Sequence, residues 1–225
     1  MRTKTLLLTA ALSVAGIATS LAQTPVYSVN AVGYVNTDLT PGYNLISNPL
    51  DNKTGNTIQN LFGTGIQGTI PNNLTVYHFD PVTDAFVTAV YDDVDGVFLP
   101  TAAANTVIAP GNGVFVRNPG TTNLRVTFVG EVEQGTESNQ AVPQGYSIKA
   151  STVPVAGTVA AMEFPGAQND RIFEWNPTTQ QFITSAFDDV DNAWLPQVPN
   201  IAVGEAFFVF KNAAATWTRN FTVNN

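Results

Sequence analysis

The stretch VYHFDPVTDAFVTAVYDDVDGVFLP at 76–100 returns as IFEWNPTTQQFITSAFDDVDNAWLP at 172–196, with ten of the twenty-five positions identical. Most of the others exchange like for like: Val76 for Ile172, Tyr77 for Phe173, Phe79 for Trp175, Tyr91 for Phe187. A chain that repeats a pattern this long must build the same local structure twice, so the repeat reads as an internal duplication. Each copy reads as strand, turn, strand, tight turn, strand. Asp80-Pro81 and Asn176-Pro177 suit turn initiation, because proline fixes φ and pushes the preceding residue extended. Asp95-Gly96, set between Val94 and Val97, predicts a two-residue type I′ hairpin, which needs positive φ at both central positions. Asp191-Asn192 takes that place in the second copy, and Asn tolerates the same conformation.

The echo extends beyond these stretches. Pro41-Gly42 leads into a strand at Tyr43-Asn44-Leu45-Ile46-Ser47, matched by Gly145-Tyr146-Ser147-Ile148-Lys149. Ile108 to Val116 and Ile201 to Val209 each carry a glycine turn and then a dense apolar run, the pattern of a strand buried on both faces. A strand of mixed polarity closes each half, at 123–132 and 216–223. The copies align at offsets of 103, then 96, then 93 residues, so length changes fall in loops. Helix is expected only at Asn56 to Phe62, with Asn56 as N-cap, and more weakly near Thr158 to Phe164. The predicted fold is all-β: two similar β-sandwich or barrel-like units from an internal duplication, at 23–130 and 131–225, after a cleaved leader at 1–22. Val129-Gly130-Glu131-Val132 is expected to run as one long strand through the junction.

The leader reading rests on Arg2 and Lys4, the apolar run Leu6 to Ala18, and Ser20-Leu21-Ala22 before the cut. That run is too short to span a bilayer and fits a secretory signal peptide. No later stretch is apolar enough for a membrane helix, and there is no cysteine for lipid attachment or disulfides. The expected location is secreted, extracellular or cell-surface. About 200 remaining residues bury roughly 70% of their unfolded surface, enough for a core without staples. Nine basic residues against seventeen acidic ones argue against nucleic acid or anionic lipid as partner. Frequent threonine and asparagine with little lysine suit strands and their turns.

The combination Pro41-Gly42-Tyr43-Asn44-Leu45-Ile46-Ser47-Asn48-Pro49, Tyr77-His78-Phe79-Asp80-Pro81 and Pro110-Gly111-Asn112-Gly113-Val114-Phe115-Val116 resembles a family of secreted bacterial β-domain proteins. The likeness covers nearly all of the chain after residue 22, including Trp217-Thr218-Arg219-Asn220-Phe221. It implies an exported β-rich surface or matrix protein and brings no activity with it. Asp80-Pro81 with Phe86 also looks like a kelch blade, but the double glycine and the repeat of about fifty residues are absent.

Chemistry-bearing residues are few. Gly63-Thr64-Gly65-Ile66-Gln67-Gly68 spells GxGxxG, yet Ile70-Pro71-Asn72-Asn73 follows where dinucleotide binding needs a helix, so it reads as a loop. His78, the only histidine, is replaced by Glu174 in the second copy and reads as structural or exposed. Asp92, Asp93 and Asp95, with Asp188, Asp189 and Asp191, read as turn residues, with Ca²⁺ binding as the alternative. A carboxylate pair for glycoside hydrolysis has nothing that singles it out. Tyr77, Phe79, Phe86, Tyr91 and Phe98, with Phe173, Trp175, Phe182, Phe187 and Trp194, read as core, with a sugar-stacking platform as the alternative.

The expected function is therefore non-enzymatic: a structural or assembly protein of the cell surface or matrix, with no cofactor or metal, partnered by itself or by other surface proteins. A secreted carbohydrate-binding module, calcium-assisted or not, is the alternative. A strand is expected at 26–36, and its residues Val26, Tyr27, Val29, Val32, Tyr34 and Val35 are the candidate interface. It is expected either to fold back into its own first half or, as an edge strand, to add to the C-terminal sheet of the next copy.

Overall fold

The computed structural model describes residues 31–223. Residues 1–22, expected to be a leader, and the interface candidates Val26, Tyr27 and Val29 lie outside the described residues.

The chain is all-β and every named strand pairing is antiparallel. In the first half run β1 (Val32–Leu39), β2 (Gly42–Ser47), α1 (Ile58–Gly63), β3 (Thr75–Asp80), β4 (Ala85–Asp92), β5 (Val97–Leu99), α2 (Thr101–Ala104), β6 (Gly113–Asn118) and β7 (Leu124–Glu131). A 3₁₀ turn (Thr136–Ser138) leads to β8 (Gln140–Val142), β9 (Gly145–Lys149) and β10 (Gly157–Thr158). Then come β11 (Arg171–Asn176), β12 (Gln181–Asp188), β13 (Ala193–Leu195), β14 (Asn200–Ile201), β15 (Phe207–Lys211) and β16 (Ala215–Trp217). One five-stranded sheet has the order β2-β6-β3-β4-β5, and the other the order β9-β15-β11-β12-β13. Strand for strand these are the same order, because β2 matches β9 in sequence and β6 matches β15. Two-stranded ladders complete the fold: β1-β7, β8-β16 and β10-β14.

Alternation explains how each sheet is covered. In β3, Val76 points to a core shared with Val114 and Val116 of β6, Leu39 of β1, Val126 and Phe128 of β7, and Ile58, Leu61 and Phe62 of α1. The second sheet does the same with Ile172, Val209, Phe207, Trp194 and Trp217. Each fully buried side chain of this kind contributes about 1.5–3 kcal/mol. A third cluster, with Leu45, Phe79, Ile148, Ala150 and Ala206, lies between the sheets.

That junction has an approximate two-fold pattern. Ser47 N–H donates to the Gly204 carbonyl at 2.9 Å, and Ala150 N–H donates to the Gly111 carbonyl at 2.9 Å. Ile46 bridges Glu205 while Lys149 bridges Asn112. The offsets of 103 and 93 convert one member of each pair into the other, so each half offers the same two segments to its neighbour, as in an isologous contact.

Several local expectations are corrected. The two-residue type I′ hairpins are four-residue loops, since Asp92 pairs with Val97 and Asp188 with Ala193. Positive φ falls only at the last loop residue, Gly96 and Asn192, with Asp95 and Asp191 outside that region. The residue that nucleates the loop is the one before it: Asp92 Oδ1 accepts from Val94 N–H at 2.8 Å, and Asp188 Oδ1 accepts from Val190 N–H at 2.9 Å. The β3-β4 and β11-β12 loops repeat the device, with Asp80 and Asn176 accepting from Val82 and Thr178 N–H and with Asp84 and Gln180 at positive φ. Such side-chain turns compete well with a ladder because a short acceptor reaches the N–H two residues on.

The N-cap of α1 is Thr57, whose hydroxyl accepts from Asn60 N–H at 3.1 Å. Asn56 is instead held at φ 37 and buried, donating to Asp51 Oδ1 at 2.8 Å and accepting from Asn52 N–H at 3.1 Å. Around Thr158 the chain forms β10 and a turn in place of helix, while α2 is a helix that the sequence pattern did not announce. The junction strand stops at Glu131, which exchanges both backbone hydrogen bonds with Asp51. Val32, Tyr34 and Val35 lie in β1, which folds back on β7 of the same half from Val32↔Glu131 to Leu39↔Leu124. Val35 faces the core and is buried, so as an interface side chain it is corrected.

Candidate binding site

The register that sends Val76 inward turns Tyr77 and Phe79 to the opposite face, where Phe86 stands across from Phe79. Tyr43 of β2 and Phe115 of β6 share that face, as do Tyr146, Phe173, Phe182 and Phe208 in the second sheet. Because the sheets meet along it, eight rings form a closed circuit: Tyr43, Tyr77, Phe86, Phe208, Tyr146, Phe173, Phe182, Phe115 and back to Tyr43. Neighbouring centroids stand 5.8 to 6.5 Å apart. These are distances at which tilted and edge-to-face pairs attract. The circuit consists of two matching quartets, Tyr43/Tyr146, Tyr77/Phe173, Phe86/Phe182 and Phe115/Phe208.

The face is open. Tyr43, Phe86, Tyr146 and Phe182 are 39%, 47%, 41% and 44% exposed. Two hollows indent it. One of about 350 Å³ is walled by Tyr43, Tyr77, Phe86, Phe115 and Trp175 and offers no polar surface. The other, about 380 Å³, lies between Phe86, Phe115, Tyr146, Phe173, Phe182 and Phe208. The Tyr77 phenol is held above its usual range, first by burial and then by its hydrogen bond with Tyr43, so it remains a neutral donor.

Where the quartets differ, the second half reaches over the first. Trp175 Nε1 donates to the Tyr43 carbonyl at 2.8 Å. The Gln180 amide accepts from Tyr43 N–H at 2.8 Å and donates to its carbonyl at 3.0 Å, pairing with the start of β2's outer edge as a strand would. Phe79 and Asp84 stand at the matching positions opposite Tyr146 and supply no such clamp.

Of the aromatic residues singled out in the sequence, Phe98 and Trp194 are buried in the two cores, with Tyr91 and Phe187 packed against them. Phe79 is buried between the sheets, and Tyr77, Phe86, Phe173, Trp175 and Phe182 line the open face. Tyr43, Tyr146, Phe115, Phe208 and Gln180 were missed as site residues, although the first four sit at matched positions of the repeat. Gln180 carried no signal, since its role depends on a strand more than a hundred residues away.

His78 points away from this face. Burial pulls its pKa below the ordinary value; nearby Asp80 opposes that shift and Lys149 adds to it. Glu174, in the matching place, is pushed up by burial, although its Oε1 accepts from Asn200 N–H at 3.1 Å. The glycine run at 63–68 closes α1 rather than opening a helix, and the Gly65 carbonyl accepts from Thr127 N–H. Among the described residues no three His, Asp or Glu side chains converge as metal ligands, and no helix is long and apolar enough to cross a membrane. Comparison with family models, curated proteins and solved structures returns no match for this chain.

Proposed function

We propose that this chain is an exported, non-enzymatic assembly protein of a bacterial cell surface or extracellular matrix, built from a duplicated β unit, whose copies associate through the aromatic face. The observation that carries the reading is the ring circuit itself, with four members 39–47% exposed around two hollows walled by aromatic side chains. A contiguous apolar patch left open on a compact β unit is expensive in water and marks a contact surface. A second and different surface is available at β1. There Val32 and Tyr34 are exposed beside Val129, and the outward N–H and C=O groups of Val32, Tyr34, Asn36 and Asp38 meet no backbone partner among the described residues. Strand addition by Val26 to Val35 belongs to this second contact. Two unlike surfaces on one subunit allow heterologous contacts that need not close, which is the geometry of a filament.

Sedimentation and electron microscopy of residues 23–225 over a wide concentration range test the reading. Higher-order species that vanish in Phe86→Ser/Phe182→Ser protein are expected; a monomer at every concentration overturns it. Polysaccharide binding is the second reading, favoured by the Tyr43 and Tyr77 rings and by Arg117, which lies across from Tyr43 and Thr75 in the ladders and could hold hydroxyls beside them. Retardation in polysaccharide gels, lost in Trp175→Ala protein, would favour it.

A further inference from the structure

Lys211 ends β15 and Asp170 stands immediately before β11, on neighbouring strands where Arg171 faces Phe210. Their side chains are 2% and 0% exposed and in direct contact, Lys211 Nζ to Asp170 Oδ2. Nζ also donates to the Pro165 carbonyl at 2.7 Å and lies 6.0 Å from the Phe164 ring centroid. Phe164 in turn packs on Phe207 and Trp217, so the surroundings are aromatic. Asp170 Oδ1 accepts from Asn212 N–H at 2.9 Å, and Oδ2 accepts from Ala167 N–H at 2.8 Å.

The fold does not require an ion pair here. At the matching place in the first half stands Asn118, a neutral amide that donates to the Leu39 and Thr122 carbonyls at 3.0 and 2.9 Å. Leu74 occupies the place of Asp170. Taking both charges out of water is costly, and only their direct contact and the hydrogen bonds around them offset that cost.

We propose that Lys211 and Asp170 condense to an intramolecular isopeptide bond. Nζ passes one proton to Oδ2 in direct contact with it and attacks Asp170 Cγ, and an N–C bond forms. The Cγ–Oδ2 bond breaks, and Oδ2 leaves as water, carrying the proton already passed to it and a second proton from nitrogen. Nothing is oxidised or reduced and no co-reactant is consumed. Fixed contact between the reacting groups supplies the proximity that such a step needs. The product keeps the existing hydrogen bonds: Oδ1 still accepts from Asn212, and the remaining N–H still faces the Pro165 carbonyl. Only Ala167 N–H loses its acceptor, and Ala167 is exposed, so water replaces it. The bond would staple β15 to the start of β11 in a chain without cysteine, restricting the unfolded chain as a disulfide does. It holds whether or not copies of the protein associate.

Intact mass in denaturing solvent, wild type against Lys211→Arg, is the test. Wild type is expected to be lighter by one water after allowing for the substitution, and a tryptic digest should contain one branched peptide joining Asp170 to Lys211 with no cleavage after Lys211. Because the chains are read unfolded, a variant that folds poorly still reports its mass. Masses that differ only by the substitution, or a branch between other residues, overturn the proposal.

Discussion

Gly113 and Ala206 meet where the two sheets join, and a methyl group on Gly113 would overlap the Ala206 and Ile148 side chains and press on the Ile46 carbonyl. The offset of 93 makes them equivalent positions, so the point where they touch lies on the approximate two-fold relation. Gly113→Ala is expected to force the sheets apart and destabilise by roughly 1–3 kcal/mol. Gly33→Ala, whose new methyl would find only Leu50 and Val132 at 3.8 and 3.9 Å, serves as the tolerated control. Denaturant melts with equal m-values would measure both.

Phe98 and Trp194 occupy matching places at the ends of the two sheets and are 1% and 2% exposed. Truncating either to alanine is expected to cost about 3–5 kcal/mol. If one truncation proves nearly neutral, the halves do not share their packing.

The aspartate loops are expected to ignore calcium. Asp92 Oδ1 is already engaged by Val94 N–H and, at 3.3 Å, by Asp95 N–H. A ligand at a hundredfold over its dissociation constant would add about 2.7 kcal/mol, so excess calcium or a chelator should leave Tm unmoved. Asp92→Ala should lose about 0.5–2 kcal/mol, the scale of a lost N-cap. A calcium-dependent rise in Tm that Asp92→Ala/Asp188→Ala removes would contradict this.

Burial holds Lys149 at about 8, below its ordinary 10.5, with Asn112 Oδ1 at 3.0 Å as its acceptor. Between those values the unfolded chain binds a proton that the folded chain has shed, so stability should rise with pH across that window. In that range His78 is neutral, and the raised Tyr77 phenol acts in the opposite sense only above 10. Lys149→Met should flatten the rise and be the more stable protein at pH 7. Melts at matched ionic strength from pH 7 to pH 10 would show it.

Removing residues 23–30 should leave the fold cooperative, because the β1-β7 register from Val32 to Leu39 and the Val132 N–H to Ala31 carbonyl hydrogen bond are retained. If those residues join copies, assembly is lost while melting persists. Loss of the fold itself, seen by circular dichroism, would mean that the segment belongs to its own unit.

Much of the architecture was legible because it rests on local rules applied twice. Alternation, the Pro-Gly and Asp-Pro turns and the repeated apolar runs gave β2, β3, β4, β6 and their partners at nearly the right bounds. The hairpins were misjudged because Asp-Gly satisfies two turn types. The choice between them depends on whether Asp92 captures the N–H of Val94, which the dipeptide does not reveal. Asn56 was misjudged for a related reason: its side chain is drawn into bonds with Asp51 and Asn52, which leaves the capping to Thr57.

The aromatic residues divide the two sources of information most clearly. Period-two spacing determined that Tyr77 and Phe79 share a side opposite Val76, and the repeat determined that Phe173 and Trp175 do likewise. Whether that side would be core or surface was decided only when the sheets met at Gly113 and Ala206. The meeting buried Phe79 and left Phe86 and Phe182 in the open. Gln180 shows the same division: its sequence places it in a loop, and only the approach of β2 gives its amide a backbone edge to close.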